Sequence, residues 1–141
     1  MDNKCKNLPG IRKLFWLRCA SLPPLLMQRS RAGIPARVLS GRNEITFSGS
    51  PSLETSTEYV NNAEVESVSM EFGSLDELPR DEAIAFFIID ANGDGWLVGT
   101  REMPYPSVKR SKSIGAPSGT TTAISYTVEL TARKALLEAI V

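Results

Sequence analysis

Apolar and polar residues alternate with period two along much of the 141-residue chain, the spacing of strands with one buried face. Ile124, Tyr126, Val128 and Leu130 alternate with Ser125, Thr127, Glu129 and Thr131, which predicts a half-buried strand. Val68, Met70 and Phe72 alternate with Ser67, Ser69 and Glu71, and Ile45 and Phe47 with Glu44, Thr46 and Ser48. Leu53, Thr55, Thr57 and Tyr59 repeat the pattern more weakly, with Glu54, Ser56 and Glu58 on the wet side. Residues 83–89, Ala-Ile-Ala-Phe-Phe-Ile-Ile, are apolar on both faces, as a central strand is. Asn92-Gly93-Asp94-Gly95 then turns the chain into Trp96-Leu97-Val98, a hairpin. A further strand is predicted over residues 12–19, and it places Arg12 and Arg18 on one face with Leu14 and Trp16.

Helical signals are few. Ser21 could cap a short helix through Leu22 and Pro23-Pro24 to Arg29, with Gly33 as its stop. Ser74-Leu75-Asp76-Glu77 has capping-box spacing, but Pro79 limits it to about one turn. Residues 132–140 fit a last helical turn or a strand alike. Nothing suggests βαβ units, so the predicted fold is mainly β: an antiparallel β-sandwich or barrel with one or two short helices. Residues 1–10 read as an N-terminal arm that a partner would order, and residues 11–141 as a single β-rich domain. Pro104-Tyr105-Pro106 suits a sheet edge or an exit path, since two prolines remove two donors.

Charge changes this picture more than composition does. Sixteen basic and sixteen acidic side chains cancel overall, but not along the chain. Residues 1–42 carry nine Lys or Arg and one acid, +8; residues 43–102 carry thirteen acids and two bases, −11; the remainder sums to +3. A chain so divided can present opposite charges on two surfaces, complementary to the next copy in a head-to-tail contact. Chance placement or a hetero-partner of complementary charge would account for the same division. The interface candidates are Arg12, Arg18, Arg29, Arg31 and Arg37 on the basic side. Glu64, Glu66, Asp76, Glu77, Asp81 and Glu82 stand on the acidic side, and Tyr105 lies between its prolines. The basic third also suits phosphate neutralisation, hence non-specific proximity to DNA. Phe15 and Trp16 alone are too few for a base-stacking platform.

Histidine is absent, which removes His-based triads, imidazole bases and His-ligated zinc. The G-x-S-x-G, P-loop and G-x-G-x-x-G patterns are also missing, and no nucleophile accompanies the acid pairs Asp76-Glu77 and Asp81-Glu82. The expectation is therefore a protein that is not an enzyme and needs no cofactor. Asp90, Asn92 and Asp94 match the opening of a calcium loop, yet its twelfth position is Arg101 and strands flank it. The same residues suit a plain turn. Cys5 and Cys19 are too few for a disulfide framework. No apolar run approaches a membrane span or a secretory core, so synthesis in a bacterial cytoplasm, with free thiols and no membrane, is expected.

The segment Phe87-Ile88-Ile89-Asp90-Ala91-Asn92-Gly93-Asp94-Gly95-Trp96-Leu97-Val98-Gly99-Thr100-Arg101-Glu102-Met103-Pro104-Tyr105-Pro106 resembles the hairpin-plus-proline segment of small virion proteins of phages and prophages of Bacteroides-type bacteria. The loop over residues 113–119 and the strand over 124–130 continue the likeness, about a third of the chain. The resemblance implies a tail or neck component, a β-barrel or sandwich assembled in rings around a DNA channel, with other virion proteins as partners and no catalytic residues. The basic third has no counterpart in it. A second functional expectation stands beside this self-assembling one: a monomeric β-sandwich that recognises a glycan or peptide through Trp96 and Tyr105.

Overall fold

The computed structural model describes residues 5–7, 10–22, 24, 34–35, 41–75, 77–79, 81–102, 105–112, 124–132 and 135–140. Eleven strands run in chain order: β1 (Cys5–Asn7), β2 (Ile11–Arg18), β3 (Ile34–Pro35), β4 (Asn43–Glu44), β5 (Phe47–Val60), β6 (Ala63–Ser74), β7 (Ile84–Asp90), β8 (Gly95–Val98), β9 (Ser107–Lys112), β10 (Ile124–Ala132) and β11 (Leu136–Ile140). They form two sheets, one of five strands in the order β1-β5-β6-β10-β9 and one of six in the order β3-β11-β8-β7-β2-β4. The protein is mainly β, with the two sheets packed as a sandwich.

Between the sheets lies the larger apolar cluster. Val68, Met70, Phe72, Tyr126 and Val128 come from the five-stranded sheet, and Leu14, Phe86, Ile88 and Val98 from the other. A second cluster lies on the far face of the six-stranded sheet, where Leu17, Ala85, Phe87, Leu97 and Leu137 meet Cys19, Leu22 and Ile34. The connection leaving β2 thus helps cover a face that water would otherwise meet. This explains the doubly apolar run at β7: Ile84, Phe86 and Ile88 enter one cluster, and Ala85, Phe87 and Ile89 the other.

The same two-sided burial decides the ambiguous tail. Leu136 joins the first cluster and Leu137 and Ala139 the second, a division that period two delivers and a helix cannot. β11 pairs antiparallel with β8 and parallel with β3, Ala139 facing Ile34, so this sheet is mixed where a wholly antiparallel one was predicted.

Short helices give way to pairing. Among the described residues the helical structure is one 3-10 turn, Cys19–Ser21, and Ser21 lies inside it rather than capping a later helix. The helix expected over residues 22–29 lies, apart from Leu22 and Pro24, outside the described residues. Ser74 does not open a helix but ends β6, buried, opposite both Phe47 and Ile124. Two flanking ladders offer more than a single helical turn, whose nucleation is costly. The expected strand through Ile45 and Phe47 breaks at that point, because the chain leaves the six-stranded sheet after β4 and enters the other at β5. Ile45 stays buried, its N–H donating to the Leu14 carbonyl at 2.8 Å.

Of the expected arm, Cys5–Asn7 pairs with β5 of the same chain, Cys5 opposite Ser56. No helix among the described residues is long and apolar enough to cross a membrane.

Candidate functional site

β5 and β6 form one long hairpin, closed by Asn61 and Asn62 at φ 52° and 64°. Two residues of positive φ make the turn whose twist matches that of paired strands, and Asn is among the few residues that tolerate it. Among the described residues β1 pairs with β5 as far as Ser56, and β10 with β6 as far as Glu66. Over residues 57–65 the hairpin therefore runs on as a two-stranded ribbon with no third strand beside it among the described residues. Tyr59 is 72% and Val60 46% exposed at its tip. The Tyr59 hydroxyl donates to Glu64 Oε2 at 3.3 Å, across the pair that the two residues form. Residues 57–65 carry two acids, Glu58 and Glu64, and no base, so the ribbon is mildly acidic with apolar side chains at its end. A lone ribbon with unpaired backbone edges is marginal in water and open to pairing with another chain.

At the other end of the same sheet, beside its outer strand β9, a cleft of about 490 Å³ opens between the layers. Leu78, Ile84, Pro106, Val108 and Tyr126 give it an apolar floor, and Glu82 and Arg110 stand at its rim. The Tyr126 hydroxyl accepts the Leu78 N–H at 3.0 Å, which fixes the wall beyond the end of β6. Arg110 pairs with Glu77 at 2.5 Å. Glu82 accepts from Arg18 Nε through both oxygens, at 2.9 and 3.0 Å, and the Arg18 guanidinium lies 5.4 Å from the centre of the Trp16 ring. β9 carries Lys109, Arg110 and Lys112 in six residues. Lys109 lies 3.8 Å from Glu129, with both side chains mostly in solvent, a contact that contributes little.

The calcium-like turn has another employment. Asp90 is buried; its Oδ1 accepts the N–H groups of Asn92 and Asp94 at 2.9 and 3.0 Å, and its Oδ2 accepts Trp96 Nε1 at 3.0 Å. Burial alone would raise its pKa, but the bonds from Trp96 and from the backbone of Asp94, Asn92 and Gly93 outweigh this and hold the carboxyl below the usual carboxylate range. No group of three or more His, Cys, Asp or Glu side chains gathers among the described residues to hold a metal ion. Asp90 is the staple of the β7–β8 hairpin. Asp90→Ala is expected to cost about 2–3 kcal/mol at pH 7, because the donors lose a charged acceptor. Since the folded pKa is the lower one, that contribution is present above about pH 4 and fades as the pH falls further. Urea melts of wild type and variant at pH 7 and pH 3 measure it. An equal gap at both pH values would contradict the assignment.

Cys19 is buried in the second cluster, and burial pushes its thiol up to about 11, which leaves it unreactive.

The structure brings some of the sequence-predicted interface residues together inside one chain. Arg18 meets Glu82, and Glu77 meets Arg110. Glu66 Oε1 accepts the N–H groups of Ala135 and Leu136 at 2.8 and 2.9 Å, anchoring the entry to β11. These acids serve the fold. Glu64 on the ribbon and Arg12 and Asp81 remain exposed, and a register shift between Ile11 and Lys13 interrupts β2 beside Arg12. Tyr105 is exposed, its hydroxyl donating to the Arg101 carbonyl at 3.1 Å, and Pro106 leads directly into the edge strand β9. Arg29, Arg31, Arg37 and Asp76 lie outside the described residues. Sequence reasoning missed the ribbon and the β9 edge. The Asn-Asn pair between Val60 and Ala63 and the Lys-Arg-Ser-Lys run were the available signals. Comparison of the chain with family models, with curated proteins and with solved structures found no match.

Proposed function

We propose that this protein is a structural subunit that assembles head to tail with copies of itself into a ring or tube, as a component of a phage particle of the tail-tube, tail-terminator or neck type. The observation that carries the self-assembly is the projecting ribbon over residues 57–65, which holds Tyr59 and Val60 in water with no third strand beside it among the described residues. A monomer gains nothing from an apolar tip on an unpaired ribbon, whereas a partner surface would bury it. The phage assignment draws on the resemblance of the β7–β8 hairpin and its proline segment. The competing module reading is weakened by Trp96, whose indole N–H donates to Asp90 and whose ring packs against the core.

Sedimentation velocity and negative-stain imaging of the purified chain test the assembly. Species larger than the monomer are expected at tens of micromolar protein, and Tyr59→Ser with Val60→Ser is expected to weaken association at least tenfold without lowering the melting temperature. A monomer at every concentration, at low and moderate salt, would overturn the proposal. The particle assignment has its own check, mass spectrometry of gradient-purified phage; absence of the chain from the particles removes it.

A further inference from the structure

We infer that the acceptor for the ribbon is the β9 edge, together with the cleft beside it, on a second copy of the chain. This rests on the self-assembly proposed above and names its partner surface.

Distance excludes a contact within one molecule. Tyr126, which lines the cleft, lies opposite Phe72, nine residues along β6 from Ala63 at the ribbon tip. At about 3.3 Å per residue that is roughly 30 Å of sheet. The ribbon extends away from the cleft, so the tip of one copy reaches only the cleft of another. The two surfaces differ, which makes the contact heterologous: it closes into a ring or continues as a filament according to the rotation between copies.

Charge selects the pairing. Among the described residues β9 is the outer strand of its sheet, and its segment Ser-Val-Lys-Arg-Ser-Lys holds bases and no acid, with Lys109 mostly in solvent, which disfavours pairing with a second β9, a common protection of strand edges. An acidic strand meets no such barrier, and the ribbon supplies exposed Glu58 and Glu64 along edges that have no third strand among the described residues. The cleft complements the tip in the apolar sense as well. Its roughly 490 Å³ and its floor of Leu78, Val108, Pro106 and Tyr126 suit Tyr59 and Val60, whose exposure is otherwise unexplained. In the assembled form the ribbon's backbone extends the sheet past β9, and because Tyr59 and Val60 point to opposite faces of β5, one of them enters the cleft while the other lies on the outer face of the extended sheet.

A charge exchange tests this by sedimentation velocity on the full chain, with thermal melts confirming that each variant folds. Lys109→Glu with Lys112→Glu leaves acid facing acid, and Glu58→Lys with Glu64→Lys leaves base facing base. Each variant alone is expected to associate at least tenfold more weakly than wild type. Mixed one to one they are expected to recover, because the basic tip of one meets the acidic edge of the other and the reverse contact is equally complementary. Wild-type association with no effect of the β9 reversal, or no recovery on mixing, overturns the inference and leaves self-assembly standing. A monomeric wild type overturns both.

Discussion

Phe86→Ala is expected to cost about 3–5 kcal/mol, the usual range for emptying a buried phenylalanine site. Phe86 is fully buried at the centre of β7, opposite Trp16 of β2 and Val98 of β8. Its ring meets Phe72 of the other sheet edge-on, centroids 6.0 Å apart, and Phe72 stacks on Tyr126 at 5.4 Å. These three rings hold the layers together, and both strands flanking the cavity are pinned by backbone pairing, so the site cannot collapse to fill it. Against a typical total stability of about 5–15 kcal/mol, the loss is a large share. Urea unfolding should show the midpoint falling with an unchanged slope. A loss under about 1 kcal/mol would mean that the interface between the sheets is not packed as described. Because Tyr126 also lines the cleft, the proposed assembly predicts that the variant associates more weakly than wild type even at concentrations where it remains folded.

Gly99→Ala is expected to destabilise by roughly 2–6 kcal/mol, combining about 1–3 for backbone strain with about 1–3 for overpacking. Gly99 has φ of 107°, and a Cβ there would lie 2.9 Å from both Ala85 Cβ and Pro106 Cγ. Neither neighbour can move freely: Ala85 belongs to the central strand, and Pro106 is a ring that fixes its own backbone. Gly93 separates the two causes. It has φ of 88° but nothing within 4 Å of a Cβ, so Gly93→Ala should show the strain without the clash. Thermal melts of both variants measure the difference, and equal losses would remove the packing half of the account. Pro106 also walls the cleft, so Gly99 links core packing to the surface proposed above to receive a second copy.

Much of the fold was legible because burial in a sandwich imposes period two. β6 buries Val68, Met70 and Phe72, and β10 buries Ile124, Tyr126, Val128 and Leu130, as alternation predicts. The doubly apolar β7 and the Asn-Gly-Asp-Gly turn after it were equally plain, since their chemistry is local. The β11 tail was not, because a short apolar stretch fits either period until its neighbours are known. Nor was the parallel pairing with β3, which depends on where a long connection returns.

The candidate surfaces were less legible than the strands. Long-range pairing sets Arg18 of the +8 block against Glu82 of the −11 block, and Arg110 of the remainder against Glu77, so the block sums do not by themselves tell which charges face outward. Coulomb attraction acts through space, so which charges neutralise each other is a property of register and packing. Glu66 was an acid of the predicted interface until β11 placed two N–H groups against it.

The sequence by itself determined a β protein, the central strand, the principal hairpin turn and a chemistry without histidine, because each follows from residue type and local spacing. Only the tertiary structure decided that, among the described residues, β1 and β10 reach no further than Ser56 and Glu66 along the hairpin, that an apolar cleft opens at the opposite end of the sheet, and which of the described charges face outward. Those are matters of strand register between distant segments, and no local pattern encodes where one strand ends beside another.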